Sequence, residues 1–335
     1  MNKRIFGADL LLLLTAAIWG FGFVAQRAGM QYVGPFTYNG IRFPLASLSL
    51  LPLIAYRSRR RTANNGPEPA AGKTLLYSSL LAGTCLFVAV SLQQLGMMVT
   101  IAGKGGFITG LYVVLTPIFG IFLGRKTGKA TWLGALLTFT GLYFVSSAGR
   151  LDKINPGDIL VAVSAVFWAF HVLIIDRLVQ KNDPIELSSG QFAVAGFFAF
   201  IAAFLIEPFL SRRLETMGPE FLSEGLFAWK SFPVLISGLA SGTVPISLVS
   251  SAMIPILYGG LGAAGIGYTL QVVAQRDAPP AHATIILCLE GCFAALGGVL
   301  LLHEHIGMKT IAGFTLMLMG MFVSQWELIR SRGQG

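Results

Sequence analysis

Residues 9–27 read DLLLLLTAAIWGFGFVAQR. The stretch is apolar enough to cross a bilayer, since a helix of about 20 residues spans about 30 Å of hydrocarbon. A plain anchor needs only leucines and valines. This one sets Trp19 and Phe21 among Gly20 and Gly22 and closes on Gln26 and Arg27. An echo lies further along the chain: DILVAVSAVFWAFHVLIIDR at 158–177 repeats the pattern at an offset of 149 residues without a gap.

Asp9 meets Asp158, Leu11 meets Leu160, Ala16 meets Ala165, Trp19 meets Trp168 and Phe21 meets Phe170. The register continues through Gln31 and Gln180, Pro35 and Pro184, Phe43 and Phe192, and Ala46 and Ala195. Two greasy helices share leucines by chance, but matched Trp, Asp, Pro and Gln in one register point to duplication. At an offset of 179, Thr131, Gly134 and Gly141 likewise meet Thr310, Gly313 and Gly320.

Around these repeats the chain is a membrane protein by composition. Its 335 residues are 54% hydrophobic and 12% charged, where soluble chains carry roughly 25% charge. Ten apolar segments fall near 8–28, 36–56, 74–98, 101–123, 130–147, 157–178, 186–209, 252–275, 281–302 and 307–326. The fold expected is therefore all-α and integral to the membrane, with ten transmembrane helices in two five-helix repeats, 1–147 and 157–326. An odd number of crossings per copy inserts the second copy upside down, the inverted arrangement on which many secondary carriers build a midplane site. An outer insertion near 211–250 contains Pro233, Pro245, Gly238 and Gly242, which argue against a continuous helix. It is read as interfacial or re-entrant; an eleventh span there would move the carboxyl terminus outside.

The net charge of +9 raises nucleic acid as a partner. Its distribution answers otherwise: Arg57, Arg59, Arg60, Arg61, Lys73, Arg125, Lys126 and Lys129 gather on one side of the expected topology. That asymmetry is the positive-inside pattern and places both ends in the cytoplasm, with membrane lipids as the partner of the basic side and no nucleic acid. The start lacks a small-residue cleavage site and reads as an uncleaved first helix. Cys85, Cys288 and Cys292 lie inside apolar segments and read as filling, not as a disulfide or metal site.

Candidate functional residues are the polar groups at membrane depth. Glu290 lies about ten residues into its segment, too deep for a short side chain to reach either surface. A charge there costs about 2.5–3.5 kcal/mol on insertion scales, so it faces a cavity, pairs with a cation or stays protonated. Arg42 and Lys104 either line a cavity as partners for an anionic solute or snorkel to the outer interface. His171 shares a helix face with Trp168, three residues away; it is a site residue or an interhelical hydrogen-bond partner. Gln93, Gln94, Gln191, Tyr268 and Gln271 supply uncharged polar groups, some of them interhelical glue. The glycines beside Trp19 serve close helix contact or leave room opposite a ring such as His171.

Other patterns carry no chemistry. Residues 260–265 match G-x-G-x-x-G, but no strand precedes them and they read as close helix packing. His303-Glu304-His305 has no further ligands near it in sequence and reads as a capping or interface cluster. The chain has no zinc-protease signature, P-loop or nucleophile elbow, so neither an enzyme, a cofactor nor a metal is expected.

AAIWGFGFVAQRAG at 16–29, GIRFPLASL at 40–48, TIAGKGGFITGLYVVLTP at 100–117, ILCLEGCFAALGGVLLLHE at 286–304 and IAGFTLMLMGMFVS at 311–324 together resemble the drug/metabolite transporter superfamily. Within it they are similar to the EamA-type ten-helix family. The resemblance implies an inner-membrane secondary carrier, often an exporter of amino acids or related metabolites, with a central cavity between its halves and no ATP-binding domain. It points to the Trp19 region, Arg42, the Lys104 segment and Glu290. Two departures stand out: the family's Glu-Pro is Glu290-Gly291 here, and its first-half Gly-Glu is Gly124-Arg125-Lys126, with His303-Glu304 in the second half.

The function expected is thus alternating-access transport of a small organic solute, with a cavity lined by Trp19, Arg42, Gln93, Lys104, Trp168, His171, Gln271 and Glu290. Protons are the candidate coupling ion, and the chain is a monomer or weak homodimer. The competing expectation is a non-transporting scaffold, sensor or lipid-interacting protein of the same architecture, in which Trp19, Trp168 and Glu290 would face lipid or dry packing.

Overall fold

The computed structural model describes residues 3–63, 72–98, 100, 102–146, 154–210, 246–294, 296 and 307–332. Outside them lie most of the 211–250 insertion, the His303-Glu304-His305 cluster and the end of the ninth segment. The side chains of Arg27 and Lys104 are likewise outside the described set.

The described chain is helical and contains no strand. Its elements are α1 (Lys3–Met30), α2 (Pro35–Ala63), α3 (Gly72–Gly96), α4 (Ala102–Thr109), α5 (Tyr112–Phe122), α6 (Lys129–Ser146), α7 (Pro156–Leu178) and α8 (Pro184–Leu205). Then come α9 (Ile246–Leu257), a π-helical stretch (Tyr258–Tyr268), α10 (Thr269–Ala274), α11 (Pro280–Leu287) and α12 (Met308–Arg332). Among the described residues, six stretches are long and apolar enough to cross a membrane. Leu48, Leu76, Phe122, Leu136, Phe197, Leu205, Ile254 and Phe322 stand exposed on the outside of the bundle. In water such a surface would be a liability; against lipid chains it is what a spanning helix presents.

Local sequence sets the helix starts. Asn155 accepts from the Asp158 amide while the Asp158 carboxylate accepts from the Asn155 amide, a capping box followed by Pro156 at the first turn. Asp183 accepts from the amides of Ile185 and Glu186 at the head of α8, again with a proline next. At the head of α2 the cap comes from far away: Glu207 accepts from the amides of Phe36 (3.0 Å) and Thr37 (3.1 Å) and from the Thr37 hydroxyl.

Three expected continuous spans are not regular helices. The fourth breaks at Gly110 and Leu111, between α4 and α5. The ninth breaks at Cys288 and Leu289, directly before Glu290, although the sequence has no proline there. The eighth passes through the π-helical stretch, whose wider turns have no signature in hydrophobic periodicity.

Helix packing keeps its pattern when the first five segments are exchanged with the last five. α3 lies on α7 and α8, as the eighth segment lies on α1 and α2; α4 and α5 lie on α7, as α11 lies on α1. Matching segments also pair with each other: α2 with α8, α5 with α11 and α6 with α12. Phe43 stacks on its own repeat mate Phe192 at 6.2 Å between centroids, so the axis relating the halves passes between them. At the other end Gln325 donates to Asp9 at 2.7 Å, which brings the beginning and the end of the chain to one face.

Candidate functional site

The breaks in the fourth and ninth segments meet: the Cys288 thiol is directed at the Gly110 carbonyl at 3.9 Å. Helix interruptions are tolerated at membrane depth only where protein or a water-filled cavity satisfies the freed backbone, and here a cavity adjoins them. Thr109 and Tyr112 border it from one break, and Leu287 and Glu290 from the other. It holds about 540 Å³ of empty space, a figure that includes the open space at its mouth.

Six of the expected site residues share this lining: Trp19, Arg42, Gln93, Trp168, Gln271 and Glu290. Trp19 and Trp168, repeat mates 149 positions apart, both contact Tyr268. Trp19 meets it at 4.5 Å between centroids, and Trp168 is nearly parallel to it at 6.0 Å and 13°. The two indoles thus approach one phenol instead of facing each other across open space. The Trp19 indole donates to the Ala263 carbonyl at 3.1 Å, and a Cβ on Gly267 would lie 2.7 Å from its Nε1. The π-helical stretch needs a glycine at this point to admit the ring.

The charges differ from simple expectation. Arg42 is 1% exposed, so the snorkelling alternative is excluded. Its Nε donates to the Asn39 Oδ1 at 2.9 Å, and its guanidinium carbon lies 5.1 Å from the Tyr38 ring centroid and 4.7 Å from that of Phe43. One terminal nitrogen of Arg42 has no hydrogen-bond partner, nor has the Trp168 indole or the Gln271 Oε1. Unpaired buried donors and acceptors are costly in a finished core, and these groups belong to residues that line the cavity. Glu290 is half-buried on the same lining.

His171 is placed elsewhere. It is fully buried, and its Nε2 is bonded to the Gln191 Oε1 at 2.9 Å behind the Trp168 and Tyr268 rings, outside the lining. It props the aromatic wall, and Gly22 does not serve as the space opposite it. Gly20 takes the contact role: a Cβ there would lie 2.7 Å from the Glu290 carbonyl oxygen. Gln93 donates to the Thr109 hydroxyl at 3.1 Å, and Gln271 donates to Gln275 at 2.9 Å. Lining residues beyond the expected set include Phe23, Gln26, Thr109, Tyr112 and Val172. Of these, Gln26 alone stood out in sequence, as a polar residue closing an apolar run.

A second, larger cavity lies on the face where the termini meet, with about 1,190 Å³ of empty space including its opening. Thr116, Arg125, Lys126, Thr131, Leu173 and His282 contribute to its wall. Tyr112 and Thr116 on α5, and Val172 and Leu173 on α7, border the first and second cavities respectively. About one helical turn of packed side chains separates them.

Known proteins place this geometry. The model of the EamA-like transporter family matches twice, over residues 6–147 and 155–325. The chain is 28% identical to an uncharacterized transporter of Archaeoglobus fulgidus, over 96% of this chain and 86% of that one. It is 26% identical to the uncharacterized inner membrane transporter YedA of Escherichia coli, over 67% and 69%. Human solute carrier family 35 member F6 is 26% identical over 58% of both chains. A solved crystal structure superposes with a TM-score of 0.70 at 15% identity, covering 96% of this chain and 98% of that one, and shows the same fold. Two matched halves, paired helices with a shared cavity, and transporter relatives along most of its length agree: the chain belongs to the EamA-like transporter family.

Proposed function

We propose that this membrane transporter is a secondary carrier that exports a small zwitterionic solute of the amino-acid type by alternating access between two inverted repeats, 1–147 and 157–326. The observation that carries the reading is the meeting of two interrupted helices, one from each half, beside a cavity holding Arg42 and Glu290. Interrupted helices at corresponding places in two halves are the usual setting of a carrier's midplane site. Arg42 takes the solute carboxylate, Glu290 its ammonium or a coupling proton, and Trp19, Trp168 and Tyr268 its apolar body. Lys104 is a further cation for this purpose. The two cavities back to back are the outer and inner approaches, and no chemistry on the solute is invoked. The carrier sits in the inner membrane with both termini cytoplasmic and works as a monomer or weak homodimer.

Reconstituted vesicles assayed with labelled amino acids and related metabolites, with and without a pH gradient, test this. The expected result is saturable movement of at least one zwitterionic solute, lost in Glu290→Gln. No movement of any member of the panel, or unchanged uptake and pH dependence in Glu290→Gln, overturns the reading. A scaffold or sensor role would be favoured by Trp19, Trp168 and Glu290 facing lipid; their place on one cavity supports transport instead.

A further inference from the structure

The cavity on the terminal face has its own polar cluster, separate from Glu290. His282 at the start of α11 is 1% exposed and borders this cavity. Its Nε2 is 2.9 Å from the Asp9 Oδ1, on α1, and its Nδ1 is 2.8 Å from the Ser324 hydroxyl, on α12. The other Asp9 oxygen accepts from Gln325. Three helices, one from the first half and two from the second, are thus joined through one imidazole.

Each partner suits a ring that gains and loses a proton. With one proton, on Nε2, the ring donates to Asp9 and accepts from the Ser324 O–H. With two, it donates to Asp9 and to the same Ser324 oxygen, whose hydroxyl turns round, because a hydroxyl both donates and accepts. In both states the ring keeps Asp9 and Ser324 as its partners, so proton exchange needs no rearrangement of the helices. A purely structural histidine requires only one of the two states. The repeat mate of Asp9 is employed differently: Asp158 accepts from the Asn155 amide at 2.8 Å and the Thr100 hydroxyl at 3.0 Å as the cap of α7. The halves therefore differ in chemistry where their sequences match.

We propose that Asp9, His282 and Ser324 form a proton-binding site on the terminal-face cavity, at the junction of α1 with α11 and α12. The proton comes from cavity water to the His282 ring and returns the same way. Other charged groups lining this space are Arg125 and Lys126, from the segment after α5; Arg125 pairs with Asp176 of α7. The site stands independently of the solute assigned to the Glu290 cavity.

The test is ¹⁵N NMR of protein labelled at its four histidines in lipid nanodiscs, with His282→Gln assigning the resonance. Spectra are taken between about pH 8.5 and 5, and a proton-binding site requires the His282 ring to pass reversibly from a one-proton to a two-proton pattern. Asp9→Asn should move the changeover to more acidic pH, since the anion facing the imidazolium is gone. Glu290→Gln should leave it in place even where transport is abolished. A His282 pattern that is constant over this range overturns the proposal, as does an unchanged transition in Asp9→Asn. Should Asp9→Asn not fold, the wild-type titration decides by itself.

Discussion

A Cβ added to Gly134 would sit 2.6 Å from the Gly320 carbonyl oxygen, and one added to Gly320 would sit 2.6 Å from that of Gly134. Further along the same helices, a Cβ on Gly141 would lie 2.5 Å from the Gly313 carbonyl oxygen. In the repeat register Gly134 corresponds to Gly313 and Gly141 to Gly320. Each glycine therefore meets the mate of its neighbour, the reciprocity of a two-fold interface. The pairing of 134 with 320 and of 141 with 313 also runs α6 and α12 in opposite directions, the relation an inverted repeat demands.

Small residues let helix backbones approach in lipid, where dispersion and close contact replace the hydrophobic drive. Gly134→Ala and Gly320→Ala should each force these helices apart and cost about 1–3 kcal/mol, the usual penalty for overpacking. Both should lower the melting temperature of the detergent-purified protein. Gly7→Ala is the control: nothing lies within 4 Å of its added methyl, so helix propensity makes it neutral or slightly stabilising. Equal melting temperatures for all three variants would refute the close-contact account.

Arg42 is the basis of a second prediction. Its guanidinium is held by Asn39 and by the Tyr38 and Phe43 rings, and one terminal nitrogen has no hydrogen-bond partner. With a zwitterionic solute identified in the vesicle panel, Arg42→Gln should raise KM by roughly 10- to 100-fold, about 1.4 kcal/mol for each tenfold. The amide analogue of the same solute, which lacks the carboxylate, should be affected far less. Equal losses for acid and amide would remove Arg42 from carboxylate recognition.

A third prediction concerns the cap that joins the halves at the head of α2. Glu207 is fully buried and satisfies two amides and a hydroxyl that begin a helix of the other repeat. Glu207→Ala should leave those donors unpaired at about 1–3 kcal/mol each. Glu207→Gln keeps one acceptor oxygen and should lose less. Thermal unfolding followed by tryptophan fluorescence should rank wild type above Gln and Gln above Ala; a different order would deny the cap its role.

Much of this was legible in the sequence because apolar length and the two repeat offsets are one-dimensional signals. Trp19 and Trp168 could be paired from register alone, and Glu290 was picked out by the cost of charge at depth. What the sequence does not reveal depends on contacts between distant segments. His171 resembles a cavity residue until Gln191 is placed beside it. Tyr268 becomes the common contact of both tryptophans only when α1, α7 and the π-helical stretch converge. The break before Glu290 follows no proline, and Asp9 gave no hint that its partner is His282, 273 positions away.

The remaining prediction separates gating from stability. On the terminal face Arg125, just after α5, pairs with Asp176 of α7, and Arg177 donates to the Leu123 carbonyl at 3.0 Å. These links tie the first half to the second beside the larger cavity. The Arg125 side chain is 42% exposed, and solvent screening holds such a pair to at most about 1 kcal/mol. Asp176→Asn should therefore barely change the melting temperature. A tie that holds two bodies together should nonetheless shift their open population by severalfold when lost, since 1 kcal/mol is about a factor of five. Thr131, buried on the wall of this cavity, reports that shift when replaced by cysteine in a background lacking Cys85, Cys288 and Cys292. Its labelling by a membrane-impermeant maleimide should quicken severalfold in Asp176→Asn, and an unchanged rate would show that the pair does not restrain opening.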